Sequence, residues 1–320
     1  MSDVLRAKPS AALTPPPPIA AEEVDALRRH PGFPAAARAS AATMVELYQG
    51  NRLLNAIVND RGRVVISTLA VHLHYSAVAD DPRSGLTAAR VKAFCVAEGV
   101  CSPGRAAAVL ALMRWAGHLA PAPQAANTRT DRLVATPRLI DLHRERWRRQ
   151  LAVVSTLFEE GGEALASIDR PGFAPAYLAG LAALFTAGAR LTGHAPSLEL
   201  FLDRNCGLLV LASLVILGGP DDAPLPTRPV PLSISALARR FGVSRPHVVA
   251  LLRDAEAAGL LERIGPGGAQ VRLSPRLLDD LERFFAGVFL FNARAAQHAL
   301  EAMGARGRAG TSTPSISGRS

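Results

Sequence analysis

One short stretch of the sequence carries side chains suited to binding a polyanion. Ser244, Arg245 and His247 stand close together, and Arg253 follows further along the same predicted helix. Arginine presents paired N–H donors that match phosphate oxygens or the two acceptors on the edge of guanine. Serine and histidine add shorter hydrogen-bonding groups. This set is suited to contacting nucleic acid, provided that a helix holds the side chains on one exposed face.

Further arginines flank this stretch on both sides. Arg239 and Arg240 belong to the preceding predicted helix, where DNA phosphates are the expected targets. Arg263 and Arg272 follow in a predicted hairpin, and arginines of such hairpins commonly contact the minor groove or its phosphates. We therefore expect these four residues to support the contacts of the central helix.

The elements that must position these side chains are two short helices joined by a tight turn. Ala238 is a small residue facing the second helix, and Gly242 accepts the unusual backbone of the turn. Ser244 is suited to cap the second helix, and Pro246 falls in its first turn. Apolar residues then recur at helical spacing and predict one buried face; they are Val248, Leu251, Leu252, Ala255 and Ala258.

A hairpin and a long helix follow. Residues 261–264 and 269–273 predict two strands, joined by the turn-forming sequence Gly-Pro-Gly-Gly. Ser274 and Pro275 then predict the start of a helix that runs to about Met303.

At this point residues 232–290 resemble the winged helix-turn-helix of MarR-type (multiple-antibiotic-resistance) regulators. The resemblance rests on Leu-Ala-Arg-Arg-Phe-Gly-Val-Ser-Arg-Pro-His-Val, on Glu-Ala-Ala-Gly-Leu-Leu-Glu-Arg, and on the hairpin with its Leu-Ser-Pro helix start. It implies a sequence-specific transcriptional regulator that binds double-stranded DNA, with the second helix in the major groove. It also implies a small-molecule effector between the helical region and the DNA-binding lobes, although no residue identifies that ligand.

The chain also contains an internal repeat. Pro31-Gly32-Phe33 recurs as Pro171-Gly172-Phe173, and Thr136-Pro137-Arg138-Leu139 recurs as Ser274-Pro275-Arg276-Leu277, both about 140 residues later. We interpret residues 21–160 and 161–303 as two copies of one module. The predicted fold is mainly α: two tandem winged helix-turn-helix modules with long packing helices and small β-hairpin wings. Because the family's usual form is a homodimer, the resemblance suggests that the two copies form a pseudo-dimer within one chain. The whole chain would then be a monomer or form a homodimer.

The first copy is the more divergent one. Its candidate DNA-contacting residues are Ser102, Arg105, Arg129 and Arg132. The predicted second helix begins Pro-Gly-Arg-Ala-Ala-Ala, so Arg105 is almost the only residue there that could hydrogen-bond to base edges. This copy is expected either to contact phosphate without reading sequence or to be mainly structural.

Composition narrows the class of protein. The net charge of +9 favours an acidic partner, but Lys8 and Lys92 are the only lysines among 36 basic residues, which also fits a high-GC genome. Residues 1–20 and 304–320 lack apolar periodicity and are predicted to be disordered tails. No signal peptide or membrane span is predicted, so a cytoplasmic location is expected.

Other chemistry is less well supported by the sequence. A zinc site is not predicted from the spacing of His72, His74, Cys95 and Cys101. We favour the interpretation that these side chains fill positions in the core. Cys95 and Cys101 remain open as a redox sensor. No catalytic motif stands out, so neither an enzyme nor a cofactor is predicted. Two alternatives stay open: a winged-helix scaffold of a chromosome-associated complex, and a plasmid-type replication initiator.

Overall fold

The computed structural model describes residues 18–50, 60–78, 81, 84–123, 132–219 and 225–310. These residues are mostly helical, with two small antiparallel sheets. The prediction of a mainly α protein is therefore confirmed.

The first half contains six helices and three strands within the described residues. In chain order they are α1 (Ala21–Arg28), α2 (Phe33–Tyr48), α3 (Arg61–Tyr75), β1 (Leu86–Thr87), α4 (Ala88–Ala97), α5 (Pro103–Trp115), β2 (Leu119–Pro121), β3 (Arg132–Ala135) and α6 (Pro137–Val154).

Among the described residues, which leave out 51–59 of the first half, the second half repeats this order with one short addition. Its elements are α7 (Glu159–Ser167), α8 (Phe173–Thr186), α9 (Glu199–Leu202), α10 (Gly207–Val215), β4 (Val230–Pro231), α11 (Ile234–Phe241), α12 (Arg245–Ala257), β5 (Leu261–Ile264), β6 (Gln270–Leu273) and α13 (Pro275–Gly310). The addition is α9 with two 3-10 turns before it, Leu191–His194 and Pro196–Leu198. The predicted hairpin strands correspond to β5 and β6.

Each half builds one sheet with the same connectivity. The strand orders are β1-β3-β2 and β4-β6-β5, all antiparallel. Leu86 lies opposite Leu133 in the first sheet, and Val230 lies opposite Val271 in the second. The outer strands β1 and β4 were not expected from the sequence. Each contributes only two residues, which is too short for a period-two pattern to be visible.

The last helix extends beyond its predicted end. Ser274 caps α13 by accepting a hydrogen bond from the backbone N–H of Leu277 at 3.3 Å, as its position suggested. The helix then continues to Gly310 rather than ending near Met303. The tail predicted to begin at residue 304 is thus corrected: no proline follows Met303 before residue 310, and extending an existing helix costs far less than starting one.

The two halves pack against each other through matched pairs of helices. Helix α1 of the first half packs on α13 of the second, and α7 of the second half packs on α6 of the first. In the same way α2 packs on α10, and α8 packs on α3. Because α1 corresponds in order to α7, α2 to α8, α3 to α10 and α6 to α13, these are matched pairs, as between copies related by an approximate twofold axis.

Two smaller contacts repeat this reciprocity. The backbone N–H of Gly50, after α2, donates to the carbonyl of Arg240 at 3.1 Å, at the end of α11. The guanidinium of Arg190, after α8, donates to the carboxylate of Glu98 at 2.8 Å, at the end of α4. In each case the segment that follows the second helix of one half contacts the helix that follows the first strand of the other half. These helices are α11, after β4, and α4, after β1.

Aromatic and ionic contacts hold the halves together. The Phe33 and Phe289 rings meet edge to face, with centroids 6.1 Å apart. The Tyr177 hydroxyl donates to the Asn292 side chain at 2.5 Å, and the Tyr177 ring packs against Trp147 of the first half. Arginines of α1 and α13 pair with acids of the opposite helix. The pairs include Arg28 with Asp279 and Glu282, Arg283 with Asp25, and Arg294 with Glu23.

The most apolar stretch of the chain, residues 206–217, forms the buried helix α10 at the centre of this packing. None of the helices among the described residues combines the length and the apolar character needed to cross a bilayer.

Candidate nucleic-acid interface

The α11–α12 pair presents the predicted residues at a tight turn. Gly242 ends α11 with a φ of 68°, a left-handed conformation that a side chain would strain. The Val243 N–H then donates to the carbonyl of Ala238 at 3.1 Å. Ser244 caps α12 by accepting from the backbone N–H of His247 at 3.3 Å. The turn therefore fixes where the first residues of α12 begin.

Helix α12 has one buried and one exposed face. The buried residues are Val248, Leu251, Leu252 and Ala255, as predicted. Ala258 was predicted on this face as well, but it is exposed because it lies at the cap where the helix ends. Arg245, the first residue of the helix, is exposed on the other side. Among the described residues it has no ion-pair partner, so its guanidinium faces solvent with all of its donors available.

His247 and Arg253 are engaged by the protein itself. The Nε2 atom of His247 lies 2.8 Å from the carbonyl oxygen of Asn205. A carbonyl oxygen only accepts, so Nε2 carries the hydrogen, and His247 ties α12 to the loop before α10. Arg253 is 68 % exposed but bonds to the neighbouring Asp254, which also accepts from Arg204 at 2.6 Å. Hydrogen bonds from Arg253 and Arg204 hold the pKa of Asp254 below its ordinary value, so both pairs stay charged.

The two arginines of α11 differ in exposure. Arg239 is exposed, and Arg240 is half-buried, with its carbonyl accepting from Gly50. Arg239 therefore presents a cation beside the start of α12.

Both hairpin arginines are paired with acids. Arg263 donates to Glu256 at 2.6 Å, and this hydrogen bond, together with one from its backbone N–H, lowers the pKa of Glu256. Arg272 donates to Glu262 at 3.1 Å, an exposed pair. Their charge is partly neutralised, so each offers less to a phosphate than Arg239 or Arg245 does.

The first half arranges the equivalent residues differently. Ser102 caps α5 by accepting from the backbone N–H of Arg105 at 3.3 Å, as Ser244 caps α12. The Arg105 guanidinium, however, pairs with the buried carboxylate of Asp60 at 3.0 Å. Arg132 lies half-buried in β3. Arg129 lies outside the described residues.

Exposed arginines stand at both ends of α5, at Arg105 and Arg114. Between Arg105 and Arg114 its exposed residues are alanines, and Trp115 at its end is 78 % exposed. The two equivalent helices thus offer different chemistry to a partner.

No family model, curated protein or solved structure matches this chain.

The cysteine pair of the first half carries buried thiols. Cys95 is buried and Cys101 half-buried. Burial, reinforced by the neighbouring Cys101, raises the pKa of Cys95 to about 12, so the protonated thiol is favoured. Within the ranges that the structure describes, no group of three or more His, Cys, Asp or Glu side chains could hold a metal ion.

Sequence reasoning missed the partners that restrain the candidate residues. Asp60 lies 45 residues before Arg105, and Asn205 lies 42 residues before His247. These separations in sequence reflect the packing of α3 on the α4–α5 pair and of the loop before α10 on the α11–α12 pair, and no local sequence pattern predicts it. The one sequence signal for these distant partners was that Asp60-Arg61 and Asp203-Arg204 occupy equivalent positions in the repeat.

Proposed function

We propose that this protein is a sequence-specific DNA-binding transcriptional regulator, built as a pseudo-dimer of two winged-helix units in one chain. The observation that carries the proposal is the exposed, unpaired Arg245 at the start of α12, held there by the Ser244 cap and the Gly242 turn. The order β4-α11-α12-β5-β6 is the order of a winged helix-turn-helix, which supports this interpretation.

Each element has a role in this proposal. Helix α12 enters the major groove, where Arg245 donates to the N7 and O6 acceptors of guanine. Arg239 on α11 contacts a phosphate, and the positive end of the α12 dipole favours another. The β5–β6 hairpin lies beside the minor groove as the wing. The reciprocal packing of the two halves supports a pseudo-dimer.

The first half has a weaker case for reading DNA. Its candidate reader Arg105 is held by Asp60, and the exposed residues from there to Arg114 are alanines. This face favours the second candidate function, a winged-helix scaffold that contacts a protein through α5 and Trp115. A single chain can combine both, with the second half on DNA.

The test is genome-wide crosslinking and sequencing of the DNA bound by the wild-type protein and by Arg245→Ala. Discrete promoter peaks that disappear in the variant are the expected result. The matched control is Arg170→Ala, which removes the same charge from an exposed position in the turn between α7 and α8.

Three outcomes would contradict the proposal. A single cluster at a replication origin would favour an initiator, and no enrichment would favour the scaffold. Equal loss of peaks in both variants would show that binding depends on net charge and not on Arg245.

A further inference from the structure

A cavity of about 370 Å³ lies where the two halves meet. Helices α2, α3, α4 and α6 line it from the first half, and α8, α9, α10 and α13 line it from the second. Its walls are mostly apolar. This volume is within the range of roughly 300–1,000 Å³ that is typical of small-molecule sites.

The two long helices line this cavity with equivalent positions but different chemistry. The repeat aligns Pro137 with Pro275, the first residues of α6 and α13. The same alignment places Arg146 opposite Phe284, Trp147 opposite Phe285, and Gln150 opposite Val288. All six of these residues line the cavity. One side of an approximately twofold site is therefore polar, and the other is aromatic and aliphatic.

The polar side has unfulfilled hydrogen-bonding groups. Arg146 is half-buried, and no carboxylate or hydrogen-bond acceptor pairs with it among the described residues. The Ser40 hydroxyl and the Gln150 side-chain oxygen are buried without a partner, and Ser40 is only 1 % exposed. Buried groups in this state reduce stability unless a ligand or solvent completes their hydrogen bonds.

The other charged groups around the cavity are already compensated. Arg61 pairs with Asp203 at 3.0 Å, and Arg190 pairs with Glu98 at 2.8 Å. Asp60 is bound by Arg105. Arg146 is thus the one arginine of the cavity wall, among the described residues, whose charge lacks a counter-ion. A cation in a largely apolar cavity selects an anion with an apolar body.

We propose that this cavity binds one apolar carboxylate per chain, with its carboxylate on Arg146 and its hydrocarbon part against Phe284, Phe285 and Phe291. A symmetric dimer would offer two equivalent orientations. Here the divergence of α6 from α13 permits one orientation only, because among the described residues α13 contributes no cation to the cavity wall, and its Asn292 amide is already bonded to Val288 and Tyr177.

The test is isothermal titration calorimetry with decanoate and with its neutral counterpart decanol. The wild-type protein is expected to bind one decanoate per chain, and to bind decanol more weakly. Arg146→Gln should weaken decanoate binding by about 10-fold to 100-fold, the range expected for a hydrogen bond to a charged group. It should leave decanol binding nearly unchanged.

Three further variants separate this result from misfolding. Arg148→Gln removes a charge that lies two residues along α6 and pairs with Asp169 at 3.0 Å, so it should leave binding unchanged. Arg146→Lys keeps the charge and should retain most of the decanoate affinity if Arg146→Gln proves unstable. Phe291→Trp narrows the apolar end and should weaken decanoate and decanol alike.

Several outcomes would overturn the proposal. Wild-type protein that does not bind decanoate, binds it no better than decanol, or binds two molecules per chain would each contradict it. Unchanged decanoate affinity in a folded Arg146→Gln variant would do the same. None of these measurements involves DNA, so their outcome is independent of the proposed regulatory function.

Discussion

The Asp60 carboxylate, which is almost completely buried, lies 3.0 Å from the guanidinium of Arg105. Asp60 also caps α3 by accepting from the backbone N–H of Arg63 at 3.0 Å. One acid therefore connects the start of α3 to the first turn of α5. Arg105 serves this connection, which limits its freedom to contact a base.

Replacing Arg105 should affect folding more than DNA binding. Arg105→Ala leaves a buried carboxylate with Arg63 as its remaining partner, and we expect the free energy of unfolding to fall by about 1–2 kcal/mol. Urea denaturation measures this loss. Arg114→Ala, an exposed position on the same helix, should change it by less than about 0.5 kcal/mol. A large loss of DNA affinity at full stability would instead identify Arg105 as a reader.

His143 should make the protein sensitive to mild acid. Burial, with the nearby charge of Arg146, lowers the pKa of His143 from 6.5 to about 3. As the pH falls below 6.5, His143 becomes protonated in the unfolded chain but stays neutral in the folded chain. Stability is therefore fully present above pH 6.5 and is lost toward pH 3, by up to about 1.4 kcal/mol per pH unit.

The substitution that tests this is His143→Leu, because Leu281 stands at the equivalent position of α13. The melting temperature of the variant should fall less than that of the wild type when the buffer changes from about pH 7 to about pH 5. Some dependence should remain, since burial also lowers the pKa of His74, His118 and His298. Parallel curves for the two proteins would contradict the assignment.

Gly207 should tolerate no side chain. It is the first residue of α10, and a Cβ there would lie 2.2 Å from the carbonyl oxygen of Phe201. We expect Gly207→Ala to reduce the free energy of unfolding by about 3 kcal/mol or more, because backbone must move. In Gly104→Ala the new methyl group meets nothing within 4 Å, and that variant should be unchanged or more stable by up to about 1 kcal/mol. Thermal unfolding compares the two.

If the protein binds DNA as proposed, Arg239 and Arg263 should differ in their effect on salt dependence. Arg239→Ala removes a cation that has no ion-pair partner among the described residues, and it should reduce the slope of log affinity against log salt by about one. Arg263→Ala removes a cation already paired with Glu256 and should reduce it by less. Fluorescence anisotropy over a salt series measures both slopes. Equal reductions would mean that Arg263 leaves Glu256 when DNA binds.

Much of the second half could be predicted from sequence because its signals are local. The Ser244 cap, the Gly242 turn and the apolar spacing of α12 each act within a few residues, so periodicity and turn chemistry identified them. The hairpin turn around Gly265 and the Ser274 start of α13 were predictable for the same reason.

The remaining features depend on contacts that are distant in sequence. Strands β1 and β4 exist because β3 and β6 offer a free edge, and two residues carry no pattern of their own. The pairing of Arg105 with Asp60 and of His247 with Asn205 follows from tertiary packing. The cavity is assembled from eight helices, so no single segment of the sequence indicates it.

The reciprocal packing of α1 on α13 and of α7 on α6 constrains how the chain reaches its native state. Helix α1 finds its partner only in α13, which the ribosome synthesises long after it. Until then, the apolar side of α1 and the cavity-lining side of α6 have no permanent cover. The first half therefore cannot finish folding before α13 has been synthesised, and expression of residues 21–160 alone leaves these surfaces open to aggregation.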